Sequence, residues 1–208
     1  MSRYQPFIED PKHLRELDRQ RFVVLRVPPP VSETYRHVQE TVRQRLSAMP
    51  VSYPARAHVT LGGFAAGTAL EAVQEVVKAW ARSVPSLLIE VECLSIFPPP
   101  FQIAIVQVRK SRDLFAALAS LWRQSETRRL ALSTRVPADQ WIFHMSLAYC
   151  SGLSASTWHE LTQLIESVQV PSARCVVGEA EVVAVDDGRE YSGGVFSLEA
   201  PQTAGSRG

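Results

Sequence analysis

The sequence is poor in cysteine, in excess charge of either sign and in long apolar runs. It holds three cysteines in 208 residues, Cys93, Cys150 and Cys175, an odd number with no pair at a C-x-x-C spacing. That excludes a disulfide framework and a structural zinc site and fits a reducing cytoplasm. Each cysteine lies in or beside an apolar run, where a small buried hydrophobe is expected. The formal net charge is only +1, so no global field recommends nucleic acid as a partner. No apolar run approaches the roughly 18 residues that a membrane span requires, so no membrane is expected as a partner. Met1–Asp10 lacks the basic and apolar regions of a secretory signal, and a cytoplasmic location is the expectation. What is present is ordinary globular composition, 46% apolar and 21% charged, in a chain long enough to bury a core. Disorder as the main state is excluded.

The periodicities give an ordered series of elements. Asp10-Pro11 opens a short helix over about 11–20, and Phe22–Val27 reads as a strand ended by Pro28-Pro29-Pro30. Ser32 can cap a helix carrying Tyr35, Val38, Val42 and Leu46 on one face. Ala57–Phe64 alternates as a strand, and Thr68 with Glu71 forms a capping-box pattern before a helix bearing Leu70, Val73, Val77 and Trp80. Leu87–Ile96 is a strand ended by Pro98-Pro99-Pro100. The order then starts again: a strand over Gln102–Val108, a helix capped by Ser111, a basic loop over 125–138, a strand over Trp141–Tyr149 and a helix from Ser154. Two closing strands fall near Ala173–Val185 and Val195–Leu198, with a turn signal at Asp186-Asp187-Gly188 and a small polar tail over Ala200–Gly208.

The two series are alike, and each holds His-x-Thr/Ser-Leu at the same place: His58-Val59-Thr60-Leu61 and His144-Met145-Ser146-Leu147, 86 residues apart. The chain therefore reads as a duplicated βαβαβ unit, with repeats over about 20–97 and 101–198, folded as one bilobed domain over 1–200 with a pseudo-two-fold axis and followed by a flexible tail over 201–208. Such an axis sets equivalent strands face to face across one cleft. Residues i and i+2 of a strand point the same way. Each motif thus presents an imidazole and a hydroxyl on one face, while Val59, Leu61, Met145 and Leu147 turn to the core.

Two imidazoles and two hydroxyls around one pocket suit phosphoester chemistry without a metal. A neutral histidine accepts a proton from water or a ribose hydroxyl while a charged one protonates the leaving oxygen, each worth about 10²–10⁴ in rate. Thr60 and Ser146 can donate hydrogen bonds to the non-bridging phosphate oxygens, where transition-state charge collects. Zinc would need a third protein ligand, and no carboxylate or thiol stands at a short fixed spacing from either motif. The expectation is no metal and no cofactor.

These paired motifs, Ala57–Leu61 and Phe143–Leu147, resemble those of the 2H phosphoesterase superfamily, which includes the bacterial 2′-5′ RNA ligase and RNA 2′,3′-cyclic phosphodiesterase group. The resemblance covers about residues 20–200. It implies an α+β fold in which antiparallel sheets line a central cleft with helices outside. It also implies metal-independent action on 2′,3′-cyclic phosphates or 2′-5′ linkages of RNA or nucleotides. On this resemblance His58 and His144 are the catalytic pair and Thr60 and Ser146 the phosphate binders. Ala148-Tyr149 stand where several RNA-processing members carry an arginine, which leaves the substrate within that class open.

Further substrate-binding candidates follow from position. Phe64 alternates onto the His58 face, where it would stack on a base, and Arg56 shares that face within reach of the phosphate. Tyr149 falls on the core face unless a bulge re-aims it. Residues 109–135 carry seven basic against two acidic residues, so Arg128 and Arg129 could hold further phosphates of an oligonucleotide. Gly62-Gly63 lacks phosphate-loop spacing and signals a bulge or close backbone approach. The expectation is a monomeric enzyme opening 2′,3′-cyclic phosphates to 2′-phosphates, with reversible 2′-5′ ligation by the same site. The alternatives are a phosphodiesterase of 2′-5′ oligoadenylate or of ADP-ribose cyclic phosphate, and a binding module for RNA or nucleotides without turnover.

Overall fold

The computed structural model describes residues 15–47, 51–133, 136–187 and 189–199. The part of the first expected helix before residue 15 lies outside them, as does the tail. Four α-helices and eight strands are present among the described residues. In chain order they are β1 (Arg21–Arg26), α1 (Val31–Arg45), β2 (His58–Phe64), α2 (Leu70–Ala81), β3 (Leu87–Phe97), β4 (Ile103–Val108), α3 (Arg112–Thr127), β5 (His144–Tyr149), α4 (Ala155–Ser167), β6 (Arg174–Val177), β7 (Glu179–Asp186) and β8 (Arg189–Ser197).

Each helix buries an apolar stripe at helical spacing, such as Val31, Tyr35, Val38 and Val42 in α1 or Trp158, Leu161 and Ile165 in α4. Ser111 and Ser154 cap α3 and α4 by accepting the Leu114 and Thr157 amides. The two caps expected in the first half do not form. Val31 is fully buried, so α1 starts at that residue with Pro30 at the cap. The Thr68 hydroxyl donates instead to the Ala65 carbonyl, and α2 begins at Leu70.

The strands form two four-stranded antiparallel sheets, in the orders β2-β1-β7-β8 and β5-β4-β3-β6. Each sheet takes strands from both halves of the sequence. β3 leaves the first half to pair with β4, and β7 leaves the second half to pair with β1. The long strand expected over 173–185 is therefore two strands, divided at Gly178, one in each sheet. Helices α1 and α4 pack on the second sheet, α2 packs on the first, and α3 packs on both β2 and β3.

One large core runs under both sheets and includes Leu25, Leu61, Phe64, Trp80, Ile89, Val106, Leu121, Phe143 and Leu147. A second, small cluster of Val24, Val183 and Val185 lies on the other face of the first sheet, with Leu17, Phe22 and Tyr149 packed against it. Edge strands β2 and β5, the two motif strands, lie side by side where the sheets meet. The pseudo-two-fold thus passes between the two histidine motifs.

Candidate active site

The register explains how the motif side chains are aimed. β1 pairs with β2 as Val24↔Thr60 and Val23↔Gly62, so Leu61 has no partner and forms a bulge. β4 pairs with β5 as Ile105↔Ser146 and Ala104↔Ala148, which leaves Leu147 as the equivalent bulge. A bulge flips the parity of every residue after it. His58 and Thr60 precede the first bulge and face the cleft, as do His144 and Ser146 before the second. Beyond the bulges the expected faces reverse.

Two corrections follow. Phe64 is not a cleft aromatic: the Leu61 bulge turns it into the large core, fully buried. Tyr149 does not lie on the core face: the Leu147 bulge carries it into the cleft. Gly63 takes the corresponding cleft position in β2, and there a Cβ would collide with the Ser133 hydroxyl and press on the Phe22 ring. The Gly62-Gly63 pair thus marks both a bulge and a close approach.

Each bulge frees its own carbonyl from the ladder, and a helix of the opposite half supplies the donor. Trp122 of α3 donates Nε1–H to Leu61 O at 3.0 Å. Gln39 of α1 donates Nε2–H to Leu147 O at 3.1 Å, and the Tyr35 hydroxyl donates to Ser146 O at 2.7 Å. Unpaired buried carbonyls would cost about 1–3 kcal/mol each, so these side chains hold the bulges and with them the aim of the motif residues. The loops preceding the motifs also cross over. Ser52 pairs with Tyr149 of β5, and Leu132 with Phe64 of β2.

His58, Thr60, His144, Ser146 and Tyr149 line one cavity of about 210 Å³, together with Leu17, Phe22, Ile103 and Trp141. The two imidazoles are held alike. His58 Nδ1 lies 2.9 Å from the Arg56 carbonyl and His144 Nδ1 lies 2.8 Å from that of Ile142. A carbonyl only accepts, so Nδ1 carries the proton in both rings and the lone pair of each neutral ring sits on Nε2.

Burial pulls the His58 imidazole down to about 3, helped by the Arg26 guanidinium and by His144, and opposed by the Arg56 carbonyl. Burial lowers His144 as well, against its Ile142 bond. The surroundings break the symmetry: Arg26 is the cross-strand partner of His58, whereas Gln107 is that of His144. Arg26 is itself paired with Glu181 at 2.6 Å and lies 3.8 Å from Glu190. The Phe97 ring stands edge-on to His144 at 4.8 Å. Burial raises the Tyr149 phenol, which a hydrogen bond from Ser146 opposes, so the phenol is protonated at neutral pH.

The remaining candidates lie elsewhere. Arg56 is exposed and lines a neighbouring cavity, so its side chain is outside the histidine cavity although its carbonyl fixes His58. Arg128 follows α3 and pairs with Glu75 of α2 at 3.6 Å, and Arg129 continues from it with φ of 57°. Neither lines the histidine cavity. Cys150 and Cys175 are buried as expected, but Cys93 is exposed, because the β3–β4 register slips between Val91 and Cys93. All three thiols are free.

Sequence reasoning missed Phe22, Ile103 and Trp141. The first two occupy equivalent places opposite Gly63 and Tyr149, which a repeat alignment would have found once the bulges were allowed for. Trp141 precedes β5 rather than extending it, so strand alternation did not apply to it. Among the described residues no three His, Cys, Asp or Glu side chains gather as metal ligands. No helix among them is long and apolar enough to cross a membrane.

A family model of the 2′-5′ RNA ligase superfamily matches residues 27–189, which include both motifs. The chain belongs to this superfamily. Solved structures share its fold. The Thermus thermophilus protein TT0787 is 16% identical over 88% of this chain and 99% of its own, with a TM-score of 0.63. Escherichia coli LigT, solved with 3′-AMP, is 13% identical over 86% of this chain and 97% of its own, with a TM-score of 0.55. Kluyveromyces marxianus Usb1 is 12% identical over 87% of this chain and 99% of its own, with a TM-score of 0.54. No curated protein sequence matches the chain significantly. The mixed α and antiparallel β architecture expected from the paired motifs is the one observed.

Proposed function

We propose that this protein is a metal-independent phosphodiesterase that opens 2′,3′-cyclic phosphates of RNA ends or nucleotides to 2′-phosphates. The observation that carries the reading is the cavity in which His58 and His144, each tethered through Nδ1–H, meet Thr60 and Ser146. His58, the ring held neutral more strongly, takes a proton from water on Nε2 as the water oxygen attacks phosphorus. The P–O3′ bond breaks on the opposite side, and His144 in its charged form, protonated on Nε2 as well as on the Nδ1 that faces the Ile142 carbonyl, gives the Nε2 proton to the departing O3′. Thr60 and Ser146 donate to the non-bridging oxygens as charge develops on them.

The apolar wall of Phe22, Ile103 and Trp141 excludes water and offers flat surface to a base. By microscopic reversibility a 5′-hydroxyl in place of water would yield a 2′-5′ link. The test is incubation with the four 2′,3′-cyclic mononucleotides and a short RNA bearing a cyclic end, with EDTA present, followed by phosphorus NMR. A 2′-phosphate is the expected product. Product formed only after zinc is restored, or none from any substrate, would overturn the proposal.

A further inference from the structure

A second, larger cavity of about 610 Å³ begins one strand away from His58. Its polar wall comes from Arg26, Ser32, Arg36, Gln39 and Arg56. Three of these are arginines, and no carboxylate lines it. Arg26 is committed to Glu181 and Glu190. Arg36 and Arg56 are exposed, and among the described residues neither stands in an ion pair. Two uncompensated guanidiniums within one concave wall focus a positive potential and present forked donors matched to phosphate oxygens.

The cavity adjoins the reacting groups through the backbone. Arg26 is the cross-strand partner of His58, at a strand spacing of about 4.8 Å, and Arg56 lies two residues before it. The histidine cavity, at about 210 Å³, falls below the roughly 300–1,000 Å³ of a typical ligand pocket. It fits the reacting end of a substrate rather than a whole nucleotide chain.

Resting on the two-histidine reading of that cavity, we infer that the arginine-lined cavity is a subsite for a second phosphate of the substrate, borne on the 5′-oxygen of the nucleoside whose ribose carries the reacting phosphate. That phosphate comes either from the preceding internucleotide link of an RNA or from the terminal phosphate of a mononucleotide. Gln39 is occupied with the Leu147 and Pro54 carbonyls and positions the wall rather than the ligand. Arg36 and Arg56 bind the phosphate.

The test is titration calorimetry with three ligands: adenosine 2′-phosphate, adenosine 2′,5′-bisphosphate, and the dinucleotide ApA bearing a terminal 2′-phosphate. The wild-type protein should bind at least one of the latter two about tenfold more tightly than the first, the size expected of a charge-assisted hydrogen bond. The ratio should fall toward one in Arg36→Gln and in Arg56→Gln. A gain confined to the dinucleotide identifies the RNA link as the source, and a gain with the bisphosphate identifies the terminal phosphate. Equal wild-type affinity for all three, or a gain that survives both substitutions, overturns the inference. A gain that behaves as expected in a protein that turns over no cyclic phosphate upholds the subsite while the proposed reaction falls. No binding of any ligand overturns both.

Discussion

Replacing His58 by glutamine should make the protein more resistant to acid. His58 is 4% exposed and its imidazole is held down to about 3, whereas an unfolded chain protonates histidine near 6.5. Between those two values the unfolded state binds a proton that the folded state refuses, so stability rises with pH through this window and is lost as pH falls. A pH of 4 lies about 2.5 units below the unfolded ring's ordinary value, which at 1.36 kcal/mol per unit costs the folded state about 3 kcal/mol relative to neutral pH. Glutamine keeps an N–H for the Arg56 carbonyl but does not titrate. Urea unfolding of both proteins at pH 7 and pH 4 isolates this contribution, because the other titrating groups are shared. The variant should lose about 3 kcal/mol less than the wild type over that interval. Equal losses would show that the folded protein protonates His58 at its ordinary pH, and the base assigned to it would be wrong.

The remaining predictions concern the cleft and its supports. Both rings titrate below the ordinary histidine value in the free protein, His58 by more, so kcat/KM against pH should be a bell whose alkaline limb, set by His144, lies below about 6.5; an alkaline limb well above 7 would contradict these roles. Gln39→Leu and Trp122→Phe each leave a bulge carbonyl without its donor and should cost about 1–3 kcal/mol in urea unfolding while lowering kcat, with Trp122→Phe acting through His58 and Thr60 from the far half of the chain. Unchanged kcat in both would show that the bulges hold without them. Phe64→Ala should cost about 3–5 kcal/mol of stability as a core truncation, and a loss confined to KM would instead return this ring to the substrate.

The sequence made the motifs, the element order and the duplication legible, because helical and strand periodicities are local and His58, Thr60, His144 and Ser146 all precede the bulges. Alternation is reliable only while register is unbroken. Phe64 and Tyr149 stand on opposite sides of the sheet from where alternation sets them, each displaced by one unpaired residue. Gly62-Gly63 hinted at the first bulge, but nothing comparable marks the second. The exchange of β3 and β7 between sheets is also invisible locally, since a strand's sequence does not name its partner. Arg26 illustrates the same limit. It reads as the end of an ordinary β1 strand, and only cross-strand pairing sets it beside His58. The basic stretch around Arg128 and Arg129 was conspicuous in sequence yet lies away from the histidine cavity, while Arg36 and Arg56, 20 positions apart in the chain, line one cavity.

The most direct measurement is the steady-state turnover of a 2′,3′-cyclic nucleotide by the wild type, His58→Ala, His144→Ala and the double variant, with circular dichroism confirming that each is folded. Each single variant should lose about 10²–10⁴ in kcat, the typical contribution of a general acid or base, and the double variant should lose much less than the product of the two because both groups serve one transition state. A folded single variant turning over at close to the wild-type rate would contradict the two-histidine mechanism.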